Sequence, residues 1–165
     1  MSELDEIQAS LASFTKRLDE VATDRFNELR KCSFFDPIPS EYLKPISEQA
    51  ETRTFSAGDC LTAEGDDMNT FFVFLFGTAT VYHNKKVVGK IRSGECIGEG
   101  MFFANENLSR SATVIADNQV IAAEIKPTGI DQLHGESKAY LDKALLLALF
   151  KKLQGANRKI EELLR

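Results

Sequence analysis

The segment from Gly94 to Val114 holds the residue types and spacing best suited to holding an anion. It reads Ile97-Gly98-Glu99-Gly100-Met101, then a polar loop, then Arg110-Ser111-Ala112-Thr113. A strand ends near Ile97. Gly98 and Gly100 let the backbone turn tightly and let a ligand approach with no Cβ in the way. A short helical turn beginning there leaves N–H groups without partners, and their partial positive charge suits an anion. Arg110 returns to the same place, and a guanidinium matches phosphate oxygens through paired hydrogen bonds. Glu99 would accept hydrogen bonds from a sugar hydroxyl and hold Arg110 in position. On the residues alone a plainer reading stays open. Glu99 then only complements a helix dipole, Arg110 is a solvated charge, and the glycines only make a turn.

Other chemistries find few residues. His83 and His134 are the only histidines, so neither a Ser-His-Asp triad nor a multi-histidine metal site is expected. Cys32, Cys60 and Cys96 are odd in number and far apart, which fits buried cytosolic thiols better than disulfides or zinc. No cofactor, no metal and no catalytic residue are expected. The net charge of -5 argues against a nucleic-acid surface. Lys138, Lys143, Lys151, Lys152, Arg158 and Lys159 lean the C-terminus positive and read as a solvated helix face. No window approaches a membrane span, and the acidic start lacks a signal-peptide core, so a cytoplasmic location is the default.

Three regions must position the segment: 1–31, 32–137 and 138–165. The first is a helix in which Leu4, Ile7, Leu11, Phe14, Leu18 and Val21 alternate by three and four residues, the period of a coiled-coil seam. Phe26 and Leu29 continue an apolar stripe with a shifted phase. This helix either self-associates or packs on its own domain. In the connector that follows, Pro37 and Pro39 stop the helix, and Ser40 is a natural N-cap for a helix to about Ala50. The middle region alternates short β-prone runs with turns at Gly58-Asp59, Gly65-Asp66, Gly77, His83-Asn84-Lys85-Lys86 and Ser93-Gly94. That rhythm predicts a small barrel or jelly roll. A short helix is expected over 128–133 and a long one from Tyr140 to Leu164, interrupted at Gly155.

From Thr54 to Ile125 the chain resembles the cyclic nucleotide-binding domain of the catabolite-activator and kinase-regulatory-subunit family. The resemblance is carried by an ordered set. It comprises Ala57-Gly58-Asp59, Glu64-Gly65-Asp66, the aromatic strand Phe71 to Gly77, Thr78 to Tyr82, Ile97-Gly98-Glu99 and Arg110-Ser111-Ala112-Thr113. It implies an α+β fold, mainly β: a jelly-roll β-barrel flanked by N- and C-terminal helices. It implies that Glu99 binds the ribose 2′-hydroxyl and Arg110 the exocyclic phosphate oxygens. Gly98, Gly100 and Met101 would make main-chain or close contacts, and Ser111 would add a hydroxyl. Val81 and Val88 would pack on ribose or base. The family usually has Leu or Ala where this chain has Gly100. The loop before Arg110 lacks a proline that some members have and carries an extra acid, Glu106. In the bacterial activators the C-terminal helix forms the dimer interface and contacts adenine. Here the matching residues are Ala156 and Asn157. Asn157 either reads a purine edge through its amide or is an ordinary exposed helix residue.

The sequence ends at Arg165, where the activators continue into a DNA-reading helix, so no direct DNA binding is expected. The resemblance implies a stand-alone sensor for cAMP or cGMP, not an enzyme. It would be a homodimer through its terminal helices and signal to an effector protein. The alternative is a dimerisation module with a silent pocket. An enzyme on a related barrel would need clustered metal ligands.

Overall fold

The computed structural model describes residues 3–67, 69–102 and 108–165. Helix α1 spans Glu3–Arg30, and a 3₁₀ turn at Ser33–Phe35 leads to α2, Ser40–Gln49. Eight strands follow: β1 Ala50–Phe55, β2 Cys60–Thr62, β3 Phe71–Phe76, β4 Thr78–His83, β5 Lys86–Arg92, β6 Cys96–Ile97, β7 Thr113–Ala116 and β8 Val120–Ile125. Helices α3, Pro127–Asp131, and α4, Gly135–Leu163, complete the described chain.

The strands form two antiparallel four-stranded sheets, ordered β1-β8-β3-β6 and β2-β7-β4-β5. The jelly roll is therefore present as a sandwich, and its barrel is not closed. The edge strands β6 and β2 have only two and three residues, too few for a ladder that wraps onto the facing sheet. The α+β class holds, with 50% of the described residues helical and 27% strand, a larger helical share than a mainly β chain implies. Two long helices, of 28 and 29 residues, account for most of that difference.

Burial explains the continuous apolar run of β3. Phe71 and Val73 face the helices, packing with Leu29, Phe35, Leu43, Ile46, Leu141 and Leu145. Phe72 and Phe74 point the other way, into a second cluster with Ala79, Ile91, Ile97, Val114 and Val120 between the sheets. A strand covered on both faces loses the polar half of its alternation. The neighbouring β8 divides the same way, with Ala123 and Ile125 toward the helices and Val120 and Ala122 toward the other sheet. Its one acid, Glu124, is 5% exposed and takes a 2.9 Å hydrogen bond from Arg53 on β1. The β4–β5 hairpin turns through Asn84 and Lys85 at φ 49° and 63°, the left-handed pair that a two-residue hairpin turn demands.

Several local expectations are refined. Helix α2 is capped by Pro39, whose carbonyl accepts from Tyr42 and Leu43, so Ser40 is its first residue. It also accommodates Pro45. Helix α4 runs through Gly155 without a break, and no atom lies within 4 Å of where a Cβ would stand there, so the glycine marks neither an interruption nor a close contact. Cys32 and Cys96 are buried, but Cys60 is exposed. Both histidines are exposed. The heptad seam of α1 is uncovered, with Leu4, Ile7, Leu11, Phe14, Leu18 and Val21 each between 53% and 68% exposed. The phase shift at Phe26 and Leu29 is where α1 joins the core: Leu29 is fully buried and Phe26 packs against the same cluster.

Candidate ligand pocket

Gly98 ends β6 at φ +85°, a conformation that L side chains rarely adopt. A Cβ there would stand 2.3 Å from the Thr70 carbonyl oxygen and 2.6 Å from Nη1 of Arg110. The missing side chain is what lets the guanidinium lie against the backbone. A single 3₁₀ turn, Glu99–Phe102, follows, with the Met101 N–H donating to the Gly98 carbonyl.

Arg110 is only 7% exposed. Its backbone is clamped by the acidic turn before β3: the Arg110 N–H donates to Asp66 at 2.7 Å, and the Gly65 N–H donates to the Arg110 carbonyl at 2.9 Å. Its Nη2 donates to Thr70, to the carbonyl at 2.9 Å and the hydroxyl at 2.8 Å. The sequence reading had Glu99 holding Arg110. Thr70 makes the hydrogen bonds instead, because the guanidinium runs back under Gly98 toward β3. Burial pushes the Arg110 guanidinium below its ordinary value, while the charges of Glu99 and Asp66 oppose that shift. A desolvated cation of this kind gains most from an anion brought to it.

Glu99 has a different partner. Lys152 of α4 donates to its Oε1 and also, at 2.6 Å, to the Cys96 carbonyl. The side chains of Lys152 and Glu99 are 33% and 20% exposed. Beneath them the buried Cys96 thiol is pushed up to about 12, chiefly by desolvation, so it stays protonated at neutral pH.

These groups open onto one pocket of about 330 Å³, within the range of small-molecule sites. Its polar wall is Gly98, Glu99, Gly100, Arg110, Ser111 and Lys152. Its other wall is Thr62, Val81, Ile91, Ile97, Ala112 and Val114, from both sheets. Six of the expected site residues therefore meet: Val81, Gly98, Glu99, Gly100, Arg110 and Ser111. Met101, Val88 and Asn157 do not line it. Met101 packs against the helix-side core, while Val88 is 49% exposed on the hairpin. Asn157 lies on the exposed part of α4 beyond Lys152. Glu106 lies outside the described residues. His83 steadies the far rim, with Nδ1 2.8 Å from the Ser111 carbonyl.

Lys152 was missed by the sequence reading, which took it for part of a solvated face. A signal was present. Leu141, Leu145 and Lys152 follow the helical period, so the lysine continues the stripe that faces the domain. Among the described residues, no group of three or more His, Cys, Asp and Glu side chains is placed to hold a metal. Among them, too, no helix is long and apolar enough to cross a membrane.

Comparison with known proteins agrees with this fold. The pattern of the family described as "Cyclic nucleotide-binding domain" matches residues 52–137, just over half of the chain. A cGMP-dependent protein kinase of Plasmodium berghei (strain Anka) is 27% identical over 118 residues, 69% of this chain and 14% of that protein. A cAMP-dependent protein kinase regulatory subunit of Hypocrea atroviridis is 28% identical over 104 residues, 63% of this chain and 22% of that protein. The chain thus spans less than a quarter of these relatives. Among solved structures, a cyclic nucleotide-binding domain from Methylobacillus flagellatus KT superposes with a TM-score of 0.71 at 19% identity, covering 87% of this chain and 84% of that one. The cAMP-bound PfPKA-R gives 0.66 at 20% identity, covering 88% and 49%. With its glycine turn, its buried arginine and its two-sheet frame all in the matched stretch, the chain belongs to the cyclic nucleotide-binding domain family.

Proposed function

We propose that this chain is a sensor that binds a 3′,5′-cyclic nucleotide in the pocket between Gly98 and Arg110. The observation that carries the reading is Arg110, a guanidinium 7% exposed yet facing a 330 Å³ pocket. Its Nη2 hydrogen bonds go to Thr70, which brings no opposing charge. In this reading Arg110 takes the exocyclic phosphate oxygens, with main-chain groups at Gly98 and Gly100. Glu99 accepts from the ribose 2′-hydroxyl, and Ser111 adds a hydroxyl at the rim. Val81, with Ile91, Ile97 and Val114, supplies the apolar surface for sugar or base. The role is binding rather than catalysis, in the cytoplasm, with the result passed to an effector protein.

Exposed apolar seams on both long helices suit that output. On α1 the seam from Leu4 to Val21 is uncovered. On α4 and its C-cap, Leu146, Phe150, Leu153, Ile160 and Leu164 are each at least half exposed. With Asn157 they repeat by four and three residues, a second heptad stripe distinct from the one that faces the core. A homodimer through these helices would cover both.

Calorimetric titration with cAMP and with cGMP tests the reading and identifies the base. Saturable binding to one of them is expected, weakened about a hundredfold in Arg110→Ala, the cost of removing a buried charged partner. No heat at millimolar nucleotide, or unchanged affinity in Arg110→Ala, refutes it.

The second reading, an interaction module with a silent pocket, draws on the exposed α1 seam. It predicts a stable oligomer in light scattering that ignores both nucleotides.

A further inference from the structure

Among the described residues, three ionised side chains line the pocket: Arg110, Glu99 and Lys152. Two of them sit on the jelly roll, and the third arrives from α4. Arg110 and Glu99 alone sum to zero charge. A cyclic phosphodiester carries one negative charge, and a neutral pair with an unpaired carboxylate facing it is a poor match. Lys152 pairs with Glu99 and brings the charge of the described lining to plus one. Within that lining the charge of Arg110 is then free for the phosphate, with Asp66 acting on it from outside the lining.

Lys152 also holds position. Its ammonium donates to the Cys96 carbonyl as well as to Glu99 Oε1, so it is tied to the end of β6 and to the first residue of the 3₁₀ turn. On α4 it stands where the helix leaves the core. Leu141, Ala144 and Leu145 before it are buried, and the residues after it are exposed but for the half-buried Gly155. Further out, Lys159 reaches the Val88 carbonyl at 3.3 Å. Two lysines thus tie the outer half of α4 to the domain, and one of them is at the pocket.

We propose that Lys152 is a positioning residue of the ligand site, neutralising Glu99 so that the pocket accepts an anion and tying α4 to the pocket wall. This rests on the cyclic-nucleotide reading of the pocket. It deepens that reading by assigning to one side chain, Lys152, the link between α4 and the pocket wall. By thermodynamic reciprocity, whatever factor the docked helix contributes to affinity, the ligand returns to docking. One oxygen of Glu99 holds Lys152, and the other stays available to a sugar hydroxyl.

The test uses the full chain and titrates cAMP and cGMP into the wild type, Lys152→Met, Lys152→Arg, Glu99→Gln and the Glu99→Gln/Lys152→Met double variant. Lys152→Met should weaken binding about tenfold or more, and Lys152→Arg should recover most of it. The double variant should bind more tightly than Lys152→Met, because the carboxylate that opposed the phosphate is gone. A merely structural lysine would not give that rescue. Affinity in Lys152→Met equal to or above wild type overturns the proposal, as does a double variant no better than Lys152→Met. Hydrogen exchange on the ligand-free protein forms a separate arm. Lys152→Met should speed exchange in α4 beyond residue 152, and unchanged protection there overturns the tether. A wild type that binds neither nucleotide refutes the cyclic-nucleotide reading and the charge role with it, while the exchange arm still decides the tether.

Discussion

Arg110 reaches back to Thr70, forty residues earlier, and its Nη2 donates to both the carbonyl and the hydroxyl of that one residue. The hydroxyl bond at 2.8 Å is the part a mutation can remove. Thr70→Val keeps the shape and leaves the carbonyl bond. Losing one charged-donor hydrogen bond, about 1.5 kcal/mol, should weaken nucleotide binding about tenfold. The same titration that reads wild-type affinity checks this.

Gly98→Ala should be far more damaging than its size suggests. The new methyl must meet the Thr70 carbonyl at 2.3 Å and the Arg110 guanidinium at 2.6 Å, in a backbone conformation that alanine resists. Both penalties act together, and a loss of about 2–4 kcal/mol in urea unfolding is expected. Binding should vanish with it, because the displaced group is the arginine itself. Gly155→Ala serves as the contrast. It meets no neighbour and sits mid-helix, so it should stabilise slightly.

The three cysteines should separate cleanly by reactivity. Cys60 is exposed, while Cys32 and Cys96 are buried, and desolvation raises both buried thiols. A thiol reagent at neutral pH should label Cys60 quickly and the other two only on unfolding. Fast labelling of Cys96 in the native protein would mean that α4 opens readily over it.

Asp117 ties the second sheet together. Its carboxylate accepts from Thr80 at 2.6 Å, from Lys90 at 3.0 Å and from Thr78 at 3.1 Å. The Thr80 hydroxyl, followed by Lys90, holds it below the ordinary carboxylate value. A depressed carboxylate contributes stability above its unfolded value and loses it as pH falls through the folded value. Asp117→Asn should therefore be less stable than wild type at neutral pH. The gap should close as pH drops below about 4, the unfolded value for Asp. Thermal melts across that range check it.

The uncovered seams predict self-association. Leu11→Glu on α1 and Phe150→Glu on α4 each place a charge in an exposed apolar stripe and leave the core untouched. Light scattering should show which of the two dissociates the oligomer. A monomeric wild type would refute the dimer reading.

Much of this protein was legible in one dimension. Turn residues and short β-prone runs marked the strands, since Gly58, Gly65, Gly77, Gly94 and Gly98 all adopt the positive φ that such turns require. Local chemistry pointed to Gly98, Glu99, Arg110 and Ser111, because each is bound to its neighbours by a short stretch of chain. The heptad of α1 was visible because a helical period needs no partner to be read. Partnership across distance was decided only by the fold. Which side chain holds Arg110 depended on β3 passing under Gly98, and the answer was Thr70 rather than Glu99. Which side chain answers Glu99 depended on how α4 packs beside the pocket, and that packing brings Lys152 to the wall and leaves Asn157 off it. Spacing along a chain records local geometry. A contact between residues 99 and 152 is set by the packing of Leu141 and Leu145 onto the core, which aims the rest of the helix.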